Sequence, residues 1–82
     1  MVEEAHILEG KINVNRIRLA PGEQIPYHTH KATRYNYILE GSMSDERRNY
    51  VPGDMVENIK GSSHSVTAGL EGCAFLVIWK ED

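Results

Sequence analysis

Short stretches of alternating or continuous apolar residues run the length of the chain, separated by Gly, Pro, Asn and Ser. No window keeps an apolar period of 3.6 residues over the roughly 10 to 12 residues of an ordinary helix. The pattern predicts an all-β fold. Ile12 and Val14 share one strand parity while Ile17 and Leu19 share the other, so a bulge or break near Asn15 is expected within residues 11–20. Pro21-Gly22 and Pro52-Gly53 have the composition of tight turns, with φ preset by proline and positive φ open to glycine. Residues 73–79, Cys-Ala-Phe-Leu-Val-Ile-Trp, are apolar at both parities. They predict a strand covered on both faces, by the core on one side and by a second layer or second subunit on the other. With no linker, internal repeat or low-complexity segment, residues 1–82 read as a single domain.

Size and charge narrow the function classes. A domain of 82 residues buries only about 60 to 65% of the surface its unfolded chain exposes, and open sheet edges invite pairing with another chain. A homodimer is the expected state. Nine basic against 12 acidic residues give a net charge of −3, which offers no field for nucleic acid or an anionic membrane surface. Arg47-Arg48 lies beside Asp45 and Glu46 and is a local pair, not a basic patch. Cys73 is the one cysteine, so no intrachain disulfide is available and a reducing compartment fits best. The acidic start Met1-Val2-Glu3-Glu4 has no signal-peptide character, and no apolar run approaches the ~20 residues that span a bilayer. The chain is expected in the cytoplasm.

His28-Thr29-His30 carries the strongest chemical signal. Alternate residues of a strand share a face, so an H-x-H pair aims two imidazoles into one space, where His64 can complete one face of a metal's coordination sphere. Two neighbouring histidines on a polar strand are more often solvated than ligating, and the weight of the reading comes from what surrounds them. Five residues separate Gly22 from His28, three separate His30 from Arg34, and six separate Arg34 from Gly41. Further on, Gly53, Gly61, His64 and Ala68 keep a second regular spacing.

These landmarks resemble the two motifs of the cupin superfamily, G-x5-H-x-H-x3,4-E-x6-G and G-x5-P-x-G-x2-H-x3-N. Together they cover roughly residues 20 to 68. Arg34 stands at the place of the first motif's glutamate, and Ile59 and Ala68 stand at the places of the second motif's proline and asparagine. The resemblance implies a small cupin, a double-stranded β-helix or jelly-roll barrel with a metal or small molecule in its mouth. Within the superfamily, residues 41–46 together with Tyr50, Gly53, Asn58, residues 61–64 and Glu71-Gly72-Cys73 look like the cupin domain of the ChrR anti-sigma factors. Acetylacetone-cleaving dioxygenases are kin to that group. The resemblance implies metal binding more firmly than any one activity.

Three neutral imidazoles leave two or three positions open on a divalent transition metal, and iron, manganese, nickel and zinc all suit them. One metal per subunit, held by His28, His30 and His64, is the expected cofactor. Without a carboxylate ligand the site keeps its full +2 charge and should draw an anionic small molecule. Arg34 has no acceptor lone pair and stays protonated, so it cannot take the glutamate's place as a ligand. Three outcomes stay open: Arg34 pairs with a carboxylate or enolate of a chelating substrate; it swings out to Glu40, Glu57 or another acid; or the metal site is degenerate and the histidines line a polar pocket.

If position 34 faces the interior, Asn36 and Ile38 face it too, and Tyr35 and Tyr37 look outward, where an aromatic-rich dimer interface would cover them. Gln24 reads as an exposed loop residue before it reads as a neighbour of the site, and Tyr27 as packing. His6 reads as surface and Cys73 as core. Nothing marks Ser62, Ser63 or Ser65 as a nucleophile, because no base oriented by an acid accompanies them. Ile38, Met55 and Phe75 are expected to set the pocket's volume. Two functions follow: oxygen-dependent cleavage or isomerisation of a small chelating anion such as a β-dicarbonyl, with Arg34 as charge partner, or a non-catalytic metal or small-molecule sensing module. In the resembling anti-sigma factors a helical segment ahead of the cupin captures the sigma factor. This chain begins almost at its first strand, so sigma inhibition is not expected of it.

Overall fold

The structure, a computed structural model, describes residues 2–81. Seven strands and no helix occur among them: β1 (Glu3–Leu8), β2 (Ile12–Leu19), β3 (Gln24–Thr29), β4 (Arg34–Ser44), β5 (Asn49–Tyr50), β6 (Met55–Asn58) and β7 (Ser63–Lys80). Every pairing is antiparallel. The sheet runs β1-β2-β7-β4-β5, with β3 added to β7 and β6 to β4. No described helix exists to cross a membrane.

β7 organises the molecule because each of its halves serves a different wall. Its first half pairs with β3, from Gln24↔Thr67 to Thr29↔Ser63, and its second half lies between β2 and β4. The bend between the halves falls at Gly72, and Gly41 of β4 lies against it, paired with Cys73. Both glycines have positive φ, +76° at Gly72 and +71° at Gly41. A Cβ at Gly41 would fall on the Gly72 carbonyl, and one at Gly72 would come within 2.5 Å of the Leu19 carbonyl oxygen. Only residues without a side chain let two strands turn this corner in contact. Register shifts in β4 on either side of Gly41 complete the curl. Val66 and Ala68 from one half of β7 then share a core with Cys73, Phe75 and Val77 from the other, joined by Leu19, Ile38 and Met43. This is the all-β small cupin barrel that the motifs imply.

The two Pro-Gly turns close as expected, with Glu23 N donating to Ala20 O at 3.0 Å and Asp54 N to Val51 O at 3.0 Å. The expectation for residues 11–20 is overturned. β2 pairs with β7 in unbroken register from Ile12↔Lys80 to Leu19↔Cys73, and the irregularity lies across the ladder in β1, between His6 and Leu8. The inward parity of β2 is Asn13, Asn15, Ile17 and Leu19, while Ile12 and Val14 face out. Apolar parity misled because two inward positions hold asparagines whose amides are hydrogen-bonded within the fold.

The second half of β7 is buried on its inner face and half-buried on the outer, where Leu76 and Ile78 lie. Register places Met55, Tyr37 and Leu76 in one outer row, and Glu57, Tyr35, Ile78 and Val14 in the next. Tyr35 and Tyr37 do face outward. Met55, expected to shape the pocket, is 55% exposed on this outer face. It lies opposite Tyr37, so it shares Tyr37's side of the sheet.

Candidate metal centre

Three local features bring the histidines together. His28 lies opposite His64 in the β3–β7 ladder, which places both rings side by side on the inner face. A register shift between Ile25 and His28, at Pro26-Tyr27, re-aims the end of β3; proline has no N–H to give the ladder. His30 sits just past β3 and is pinned by two backbone bonds of 2.8 Å, His30 N to Ser62 O and Gly61 N to His30 O. The three ring centroids are 4.7 to 4.8 Å apart, with planes at 71° to 76° to one another.

The ring nitrogens are oriented for donation. His28 Nδ1 donates to the Pro26 carbonyl at 2.8 Å, which leaves its Nε2 lone pair free. His64 Nδ1 lies 3.8 Å from Asp45 Oδ2, and the Nε2 atoms of His30 and His64 are 3.0 Å apart. Burial first, then the neighbouring His64 and His28 and the Arg34 charge, push the His30 pKa down to about 4. Burial, followed by His28, lowers that of His64 against the opposing pull of Asp45 and Glu46. Both rings are therefore neutral at pH 7, the state a ligand must have. One ligating nitrogen from each of the three lies within 4.8 Å of the others. Two nitrogens ~2.1 Å from one ion and at right angles to each other stand ~3.0 Å apart. The donor set fits a divalent transition metal.

Asp45 is the member that the sequence did not single out. Its side chain is 1% exposed, and it accepts hydrogen bonds from Arg47 N at 2.8 Å, Arg48 N at 3.1 Å and Tyr50 Oη at 2.9 Å. Burial raises its pKa, but those bonds and the Arg47 charge outweigh it, so the carboxylate is held below its usual range. A fixed anion behind Nδ1 of His64 favours the tautomer that points Nε2 at the cluster. In the sequence Asp45 and Glu46 read only as the acidic neighbours of Arg47-Arg48, which gave no signal for this contact. Glu46 next to it accepts from Ser65 N and Ser65 Oγ, bracing the strand that carries His64.

The histidines open onto a cavity of about 310 Å³, with Arg34, Asn36 and Gln24 as its other polar lining and Ile25, Val66, Phe75 and Val77 among its apolar lining. Arg34 faces this cavity with its guanidinium carbon 4.7 Å from the centroid of the Trp79 ring. The outward swing weighed for it is not the one adopted. Glu40 lies 3.5 Å from Arg18, Glu57 accepts from Tyr35 Oη at 3.2 Å, and among the described residues no carboxylate forms an ion pair with Arg34.

Gln24 opens β3, not a loop, and is exposed at the cavity rim. Tyr27 is 69% exposed and packs on nothing in the core, contrary to expectation, because Pro26 and the register shift turn it to solvent. His6 is exposed and bonds Asn15 Oδ1 at 2.8 Å, away from the cluster. Thr29 Oγ1 and Ser63 Oγ are hydrogen-bonded to each other, and Ser62 Oγ donates to the Ile59 carbonyl. Cys73 is buried and free, and burial pushes its thiol up to about 11.

Comparison with known proteins bears on this geometry. The sequence profile of the ChrR cupin-like domain matches residues 9–80. A search of curated proteins returns no match. Among solved structures, the anti-sigma ChrR of Rhodobacter sphaeroides, in complex with SigE, superposes with a TM-score of 0.87 at 21% identity, over 98% of this chain and 45% of that one. The polyketide cyclase RemF of Streptomyces resistomycificus gives 0.85 at 21% identity, over 94% and 63%. An RmlC-like cupin from Shewanella frigidimarina gives 0.86 at 13%, over 99% and 77%. The chain thus spans about half the length of the first two, and at these identities the likeness is one of fold.

Proposed function

The chain belongs to the ChrR cupin-like domain family, and from that premise we propose that residues 1–82 act as one metal-binding cupin domain that takes a small chelating anion. His28, His30 and His64 hold one divalent ion per subunit, with iron, manganese, nickel and zinc all compatible with three imidazoles. Bound there, the metal would supply Lewis-acid polarisation of a ligand oxygen. The chain's own residues do the rest. Asp45 and the Pro26 carbonyl fix the tautomers of His64 and His28. Arg34, seated on Trp79, meets the ligand's negative charge, and Ile25, Val66 and Phe75 exclude water from its apolar part. The observation that carries this reading is the pairing, across one cavity, of three converging imidazoles with an arginine that has no acid partner among the described residues. Oxygen-dependent cleavage or isomerisation of a β-dicarbonyl or hydroxy acid is the catalytic form of the reading.

A non-catalytic sensing module is the second form, favoured by the likeness to a domain of an anti-sigma factor. Oxygen-electrode assays of iron-loaded protein with dicarbonyl and hydroxy-acid ligands separate the two: consumption supports the enzyme, and saturable binding without turnover supports the module. Metal analysis tests what both share. Wild type is expected to retain about one metal per chain and His64→Ala to lose at least ~90% of it; equal metal content in both would end the proposal. The reading includes a homodimer closed over the outer rows of Tyr35, Tyr37, Leu76 and Ile78, and a cytoplasmic setting for the free thiol. Light scattering on Tyr37→Glu tests the first, with a monomer expected.

A further inference from the structure

Four asparagines are buried on the inner face of the sheet, and they divide into two kinds. Those of β2 are used by the fold. Asn13 donates to Gly10 O at 3.0 Å and Glu81 Oε2 at 3.1 Å, and Asn15 bonds His6 Nδ1 at 2.8 Å and donates to Glu4 Oε2 at 2.5 Å. Those of β4 and β6 are not. Asn36 is 7% exposed and Asn58 1% exposed, and neither side chain makes a hydrogen bond among the described residues. The amide atoms of Asn58 are cut off from solvent and those of Asn36 are not, but leaving either unbonded does nothing for the fold, and leucine would fill such a place better.

The two differ in what they face. Asn58 is opposite Arg34 in register and sealed from the cavity, whereas Asn36, between Val56 and Val77, lines it beside Arg34. The small opening left to Asn36 is therefore onto the cavity. Its wall presents a guanidinium and an amide side by side, facing the histidines across apolar lining from Ile25, Val66 and Phe75. That combination suits an anion with a second oxygen near its charge and a compact aliphatic body. A plain fatty acid would leave the amide unbonded, and a polyol would leave the apolar lining uncovered.

We propose that Asn36 is a specificity-determining residue that hydrogen-bonds the keto or hydroxyl oxygen of a small branched 2-oxo or 2-hydroxy carboxylate whose carboxylate rests on Arg34. This deepens the reading of the site given above and rests on it for Arg34 as the anion's partner. Asn36 Nδ2 donates to a keto oxygen, and Oδ1 accepts from a hydroxyl, so one residue serves both oxidation states. A site with such a donor discriminates against the analogue that lacks the oxygen.

Calorimetric titration with 4-methyl-2-oxopentanoate and with 4-methylpentanoate tests this, in nickel-loaded and metal-free protein so that the metal's share of any preference is separated. Asn36→Leu should weaken the oxo acid by roughly tenfold in both forms while changing the plain acid by less than about threefold. It should leave the nickel content as in wild type and keep or raise the melting temperature of the metal-free protein. Asn58→Leu should behave like Asn36→Leu in stability and like wild type in discrimination. The proposal is overturned if Asn36→Leu alters both acids alike or neither, if Asn58→Leu abolishes discrimination equally, or if wild type binds neither acid. It is also overturned if Asn36→Leu and Asn36→Ala both fail to fold, since the amide would then belong to the fold. Absence of nickel from wild type would sink the metal reading alone and leave the metal-free comparison of the acids in force.

Discussion

The two ends of the folded β4–β7 ribbon are built on opposite rules. At the glycine corner Leu19, Met43, Ala68 and Cys73 pack at almost no exposure, and strand touches strand without side chains between. At the cavity end three histidines, an arginine and an unbonded asparagine crowd the same inner face, and the fully buried side-chain atoms without a partner among the described residues, those of Asn58, lie there too. The difference teaches where each property resides. The corner end holds the sheet closed, and the cavity end keeps polar groups that the fold itself does not use. Changes at the first should register in stability, and changes to the groups that line the cavity at the second should register in binding.

The sharpest break comes from the corner. Gly72→Ala forces a Cβ toward the Leu19 carbonyl at a φ that L residues resist, and should remove about 4 kcal/mol or more of stability in urea denaturation, enough to unfold a domain this small. Arg34→Met at the other end should do the reverse. Metal content and melting temperature stay near wild type, while affinity for an oxo acid falls about 10- to 100-fold by titration calorimetry, reflecting a lost charge-assisted pair. If Arg34→Met instead unfolds the protein, the division between the ends is wrong.

Acid probes the same contrast more gently. His30 takes its proton only near pH 4 in the folded state but near its ordinary value of about 6.5 when unfolded, so between those values the unfolded chain binds more protons. Stability of the metal-free protein is therefore full above about 6.5, falls as pH drops toward 4, and has no further loss from this group below it. Melting curves from pH 7 to 4 should show the decline, reduced in His30→Gln. The smallest effect concerns Cys73, whose thiol is held near 11 by its place in the core. A thiol reagent at pH 8 should leave it unmodified in the native protein and react promptly in denaturant.

Much of this division was legible in the sequence where a residue type and a spacing act together. Strand parity at His28 and His30, with His64 at its motif distance, pointed to three rings at one point, although His30 lies just past β3 and is held there by backbone bonds with Ser62 and Gly61, and the inward direction of position 34 carried Asn36, Ile38 and the outward tyrosines with it. Parity failed at Asn13 and Asn15, because hydrophobicity stands in for burial only when buried side chains are apolar. It failed for Met55 as well, whose side of the sheet depends on which residue of β4 it is paired with. Asp45 was out of reach for a different reason: its contact with His64 joins a turn to a strand 19 residues on, and no local pattern encodes it. The seat of Arg34 on Trp79 is likewise a product of ladder register between distant strands.

A single strand, β7, supplies His64 to one wall of the cavity and, through Trp79, the rest on which Arg34 lies to the other. The span between the two binding elements is thereby governed by the angle of one hinge, at Gly72, in the manner of a caliper whose jaws are cut from the same bar. Because that hinge is also what holds the sheet closed, a substitution there loosens both jaws together and is felt as lost stability before it is felt as a change in what fits.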